Sequence, residues 1–147
     1  MIRTILGIVV GYIAMSILMF LLFSALYLVL GTSGSFIPDS PYVSTTWLIA
    51  GFVMFFAAAT VAGLVSSLIG KSASAGLLMG LVILVVGLIL AFFQIASMPE
   101  NIVRDPQEVP LMEAMAIRQQ PVWALFVNPI IGLIGAFVGG RRSGPKD

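Results

Sequence analysis

Residues 75–97 read AGLLMGLVILVVGLILAFFQIAS, 23 positions without a charge. A bilayer core about 30 Å thick is crossed by roughly 20 apolar residues of helix. A helix on a soluble core keeps one polar face, and this stretch has none. The reading is a membrane span.

Three further stretches have the same character, at residues 5–30, 47–69 and 122–139. All 7 basic and 6 acidic residues lie outside the four stretches, which marks their limits. The chain has 147 residues, of which 60% are hydrophobic and 9% charged. A soluble domain carries about 25% charged residues, so this one has too few to cover a water-facing surface. Residues 1–147 are therefore read as a single domain: an all-α integral membrane protein of four transmembrane helices in an antiparallel bundle. The first stretch is too long for the apolar region of a signal peptide, about 7–15 residues, and is read as a retained helix.

Orientation follows from lysine and arginine, which concentrate on the cytoplasmic side. Four spans put both termini and the 70–74 connection on one side. That side holds Arg3, Lys71, Arg141, Arg142 and Lys146. The other side has only Arg104 and Arg118 among bases, with Asp39, Glu100, Asp105, Glu108 and Glu113. The expected location is a bacterial inner membrane, with both termini cytoplasmic and loops 31–46 and 98–121 outside. The net charge of +1 gives no reason to expect nucleic-acid binding.

The 70–74 connection is short enough to make spans two and three a tight hairpin. Ser44, Thr45 and Thr46 offer N-cap oxygens to the second span. Trp47 and Trp123 each stand at a span's outer start, where indoles suit the membrane interface. In the second outer loop, Asp105-Pro106-Gln107-Glu108 has the form of a helix start, and Pro110 offers another. From Pro110, Leu111, Met112, Met115 and Gln119 recur at helical spacing, with Glu113 and Arg118 away from that stripe. This predicts a short amphipathic helix on the outer surface.

Helices in lipid associate through close-packed small residues. Gly7/Gly11, Gly76/Gly80 and Gly135/Gly139 are G-x-x-x-G pairs, and Ala59/Gly63 is the small-residue equivalent. Nearly all fall in the cytoplasmic half. The aromatic rings favour the outer half: Phe23, Tyr27, Phe52, Phe55, Phe92 and Phe126 among them. The expectation is helices packed tightly inside and spread outside, with an aromatic-lined crevice toward the outer leaflet.

Chemistry is scarce. His and Cys are both absent, which excludes zinc held by those ligands, thiolate-held iron–sulfur clusters and His-based triads. No ionisable side chain lies within a span, which argues against proton coupling through a buried carboxylate. Here the chain departs from the small multidrug-resistance exporters, which share its size and four spans but need a glutamate in the first. A metal would have to rest on loop carboxylates such as Glu100, Asp105, Glu108 and Glu113. No cofactor is expected, and the protein reads as non-enzymatic.

The polar residues within the spans are neutral. Asn128 precedes Pro129, which cannot donate to the Leu125 carbonyl and so disturbs the helix. Tyr27 and Gln94 lie at comparable height in other spans. Tyr27, Gln94, Asn128 and Pro129 form the candidate cluster, either as glue between helices or as a ligand contact.

Hydropathy and loop plan resemble those of small four-span bacterial inner-membrane proteins, and no motif carries a function over from them. Two functions compete. One is an accessory or structural subunit that associates with itself or other membrane subunits through its small-residue faces. The other is a protein that binds lipid or a hydrophobic ligand, or a small carrier, using the outer crevice.

Overall fold

The computed structural model describes residues 1–98 and 109–143. Four helices within it are long and apolar enough to cross a membrane, and no strand forms among the described residues. Helix α1 spans Ile2–Ser35, α2 Thr45–Gly70, α3 Ala73–Ala96, α4 Leu111–Ile117 and α5 Val122–Ser143. The proposed start at Asp105 lies outside the described residues. The start at Pro110 is the one seen, since Pro110 is the N-cap of α4.

The predicted limits of the spans need small corrections, each with a local cause. The first apolar run was expected to end at Leu30, yet α1 continues to Ser35. The backbone breaks at Gly31, with φ 63° and ψ −174°, and the last turn resumes beyond it. That region is open essentially to glycine alone. An added Cβ at Gly31 would touch nothing within 4 Å, so backbone conformation, not space, selects glycine there.

Helix α2 starts at Ser44, whose Oγ accepts from the Trp47 N–H at 3.2 Å and donates to the Gly34 carbonyl at 2.6 Å. One side chain thus caps α2 and holds it to the end of α1. Helix α2 stops at Lys71, which takes the left-handed conformation and returns its N–H to the Ser67 carbonyl. Ser72 then caps α3 by accepting from the Ser74 N–H at 3.2 Å.

Small residues decide which helices meet. Helices α2 and α5 lie side by side and run in the same direction. A Cβ on Gly63 would land on the Ala136 backbone, one on Gly135 at 2.7 Å from the Phe56 carbonyl, and one on Gly139 on the Thr60 carbonyl. Ala59 is fully buried beneath Gly135. Helix α1 packs on another side of α2, running oppositely. Gly7 faces Ser66 and Gly70, Gly11 faces Ala62, and Phe23 reaches Gly51. The Ser66 Oγ donates to the Gly7 carbonyl at 3.0 Å inside this contact. Helix α3 runs opposite to α5. Gly76 meets Gly140, Gly80 meets Leu133, and Gly87 meets Pro129.

A short turn joins α2 and α3, which also touch each other. Each of α2 and α3 packs more extensively on α5 than on the other. The glycines of α5 admit both neighbours closely, and near the turn Gly76 of α3 faces Ser67 of α2. Helices α1 and α3 scarcely touch, and α1 makes no comparable approach to α5.

Two cores result. Met15, Ala58, Ala59, Ala62, Met79, Ile83 and Ala136 form one, built largely of small side chains. Phe23, Tyr27, Phe36, Val43, Trp47 and Ala114 form the other, at the end carrying the long connections. Large rings hold helices apart where alanines let them close.

Backbone pairing ties the connections at that end together. Ile37 N–H donates to the Tyr42 carbonyl at 2.9 Å, and Ser44 N–H to Ser35 at 2.8 Å. Val43 N–H donates to Gln119 at 3.0 Å, and Gln119 N–H to Pro41 at 2.9 Å. Segment 41–43 therefore joins residues separated by more than seventy positions. The Tyr27 hydroxyl donates to the Val109 carbonyl and lies 2.9 Å from the Thr32 Oγ1, which accepts from the Val109 N–H at 3.2 Å. Tyr27→Phe is expected to lower stability by about 1 kcal/mol, the net value of such a bond. Amide exchange at Val109 should quicken while α2 and α5 stay protected, as hydrogen-exchange mass spectrometry would read.

Candidate functional site

Where α1 and α3 spread apart, a cavity of about 340 Å³ opens at the aromatic end of the helices. All four spanning helices line it. Met15, Met19 and Phe23 come from α1, and Trp47, Gly51, Phe52 and Phe55 from α2. Ile83, Val86, Gly87, Leu90, Ala91 and Gln94 come from α3, and Leu125, Asn128 and Pro129 from α5. Tyr12 and Ser16 on α1 and Leu90 on α3 are the exposed lining residues, so the opening lies on the α1–α3 side.

The body is mostly apolar. Gln94, Arg118, Gln120 and Asn128 form a polar end, and Tyr12 and Ser16 add polar groups at the opening. The Asn128 Nδ2 donates to the Gln120 Oε1 at 2.9 Å, which binds α5 to the segment just before it. Pro129 follows Asn128 and faces Gly87, where a Cβ would stand 2.7 Å from the ring. The glycine lets the proline ring sit against α3 and so sets the local width of the cavity.

Of the candidate cluster, the structure brings Gln94, Asn128 and Pro129 to one cavity. Tyr27 stands apart from them. It is buried, and its hydroxyl is engaged by Val109 and Thr32. Similar height along the helix axis did not place it on the same face. The candidate packing residues Gly7, Gly11, Ala59, Gly63, Gly76, Gly80, Gly135 and Gly139 all sit at contacts between helices of this one chain. Of the four loop carboxylates considered for a metal, only Glu113 is among the described residues, and it is exposed on α4.

Arg118 is the residue whose place the helical pattern missed. Spacing set it away from the apolar stripe of α4, whereas Met112, set within the stripe, is 68% exposed. The inward face is instead Leu111, Ala114 and Met115. Arg118 is the C-cap of α4, at φ −57° and ψ 131°, and that extended backbone redirects the side chain. Its guanidinium lies 4.9 Å from the centroid of the Phe23 ring, and Nη1 approaches the Met115 Sδ at 3.6 Å. Burial pushes the guanidinium pKa below its usual value, since desolvation disfavours the charged form. An arginine nevertheless keeps its charge. No carboxylate among the described residues pairs with it.

Trp47 is the second missed feature. It is only 2% exposed, packed with Phe23 at 5.4 Å and Tyr27 at 6.4 Å between ring centroids. Its Nε1 is buried without a hydrogen-bond partner among the described residues. Trp123, by contrast, is 56% exposed.

No family model matches this chain, and no curated protein or solved structure matches it either. The functional reading therefore rests on the site.

Proposed function

We propose that this chain is a non-enzymatic protein of a bacterial inner membrane that binds a lipid-like hydrophobic ligand. In this reading the four spans form an antiparallel bundle with both termini cytoplasmic. The cavity opens toward the outer leaflet, and α4 lies across the outer end as a short amphipathic helix. The distribution of basic residues supports the orientation. The observation that carries the function is the cavity: a mostly apolar body of about 340 Å³ with Gln94, Arg118, Gln120 and Asn128 at its polar end. Ligand sites are typically concave and apolar with a few placed polar groups.

The competing reading, a subunit that assembles through G-x-x-x-G faces, has less support. Those faces are filled within the chain by Ser66, Ala62, Ala136, Leu133 and Thr60. The surface left over carries large side chains such as Ile13, Ile17, Phe20, Val53 and Phe93, which suit contact with lipid tails.

Filling the cavity tests the proposal. Ser16 and Val86 line it without being fully buried, so Ser16→Phe with Val86→Phe should fill it and leave the fold intact. Protein purified in mild detergent is expected to retain bound lipid, and the double variant to lose most of it, as lipid extraction with mass spectrometry would measure. Equal lipid in two equally stable proteins would overturn the proposal.

A further inference from the structure

We infer that the ligand is an anionic lipid, with one acyl chain in the cavity and its acid group, carboxylate or phosphate, on Arg118. This rests on the binding function proposed above and names its ligand class.

The first argument is an inventory of hydrogen-bonding groups. An arginine carries five N–H donors in a planar fork and no acceptor. Among the described residues, those of Arg118 meet only the Met115 sulfur, at 3.6 Å, a long and weak contact. The Gln120 Oε1 is taken up by Asn128, which leaves the Gln120 amide N–H groups for another acceptor. The Trp47 Nε1–H, buried on the cavity wall, has no acceptor among the described residues. Gln94 makes no side-chain hydrogen bond among the described residues. No carboxylate among the described residues lines the cavity. Among the described residues, the site has donors to spare and a positive charge, and no anion that would complement them.

The second argument is the placement of the charge. A cation partly withdrawn from water gains from a partner that compensates its charge, and Arg118 is half-buried. The Phe23 ring supplies part of that compensation through its negative face. A ring over one face of the guanidinium also orients it and leaves the N–H edge free. Planar two-oxygen groups match that edge with two parallel hydrogen bonds.

The third argument is size and access. A volume of about 340 Å³ is at the small end for ligand pockets, which run about 300–1,000 Å³. It suits a single chain, not the whole of a two-chain lipid. The α1–α3 opening beside Tyr12, Ser16 and Leu90 would let that chain enter sideways from the membrane. Arg118 waits at the polar end, where a headgroup would remain.

The test pairs ligands that share a chain and differ in charge. Oleate and oleyl alcohol, then dioleoyl phosphatidylglycerol and dioleoyl phosphatidylcholine, are titrated into the full chain in neutral detergent, with binding counted by native mass spectrometry. The wild type is expected to favour the acid of at least one pair by about tenfold or more, the scale of hydrogen bonds to charged groups. The favoured pair separates a carboxylate from a phosphate. Arg118→Gln should abolish that preference and keep the affinity for oleyl alcohol. Arg118→Lys should restore part of it, as a charge without the fork. Equal binding of acid and neutral partners by the wild type would overturn the headgroup assignment and leave the cavity reading standing. A preference that survives Arg118→Gln would overturn the role of Arg118. Binding of no ligand in either pair would overturn the binding function itself.

Discussion

Gly63→Leu is expected to cost about 3 kcal/mol or more of stability, at or beyond the upper range for overpacking a close-fitted core. A Cβ at this position would fall on the Ala136 backbone, not on a side chain that can turn aside. Relief requires α2 and α5 to separate. Separation would also lift Gly135 from Phe56 and Gly139 from Thr60, since all three contacts lie along one interface. Ala57→Leu is the control on the same helix. Ala57 is exposed, so its replacement by leucine should change stability by less than about 0.5 kcal/mol. Denaturant-induced unfolding in mixed micelles, followed by circular dichroism, would compare the two. Equal midpoints would mean that α2 and α5 do not meet at Gly63.

Trp47→Ala is expected to cost about 3–5 kcal/mol, the usual range for emptying a buried tryptophan site. The indole is the only aromatic side chain among the largest fully buried ones. It packs with both Phe23 and Tyr27. Phe23 in turn carries Arg118 on its ring, and Tyr27 holds Val109. Removing the indole therefore loosens the cavity wall and the pairing between the connections together. Trp123→Ala removes a ring of the same size from the surface, where it touches Phe52 at 5.9 Å between centroids. Its cost should stay near 1 kcal/mol. A thermal unfolding series on both variants would decide whether the two tryptophans differ as their burial implies.

These two positions show how far the sequence could be read. Gly63 stood out because small residues at helical spacing mark close contact in lipid, whatever the partner helix is. The pattern did not say that the partner would be α5 in parallel, since spacing defines a face and not what lies against it. Trp47 stood out as an indole at a span's start, and that reading fits Trp123 alone. The difference comes from segment 41–43, which folds across the end of the helices and covers Trp47. Pairing between residues so distant in sequence leaves no periodic signal.

The site divides in the same way. Asn128 and Pro129 were recognisable because a helix with a missing donor beside an amide is unusual within a span. Gln94 joined them because few polar side chains lie within the spans. Tyr27 was grouped with them by depth, but rotation about the helix axis places its hydroxyl on another contact. Arg118 could not be found from helical spacing. It begins where α4 ends, and its direction is set by a single extended residue. The absence of charge from the spans was legible throughout. The charge that matters to the cavity comes instead from a connection folded over its end.

The two tryptophans offer the most direct test of the cavity as a lipid site. In a Trp123→Phe protein, Trp47 is the sole indole, on the cavity wall and shielded from the surface. The protein is reconstituted in bilayers of dioleoyl lipid or of the same lipid brominated at mid-chain, and the tryptophan emission is compared. A chain within the cavity should bring bromine to Trp47 and quench it strongly, and Ser16→Phe with Val86→Phe should restore the emission. Unchanged Trp47 emission in brominated bilayers, in a preparation where Trp123 of a Trp47→Phe protein is quenched, would contradict the presence of lipid in the cavity.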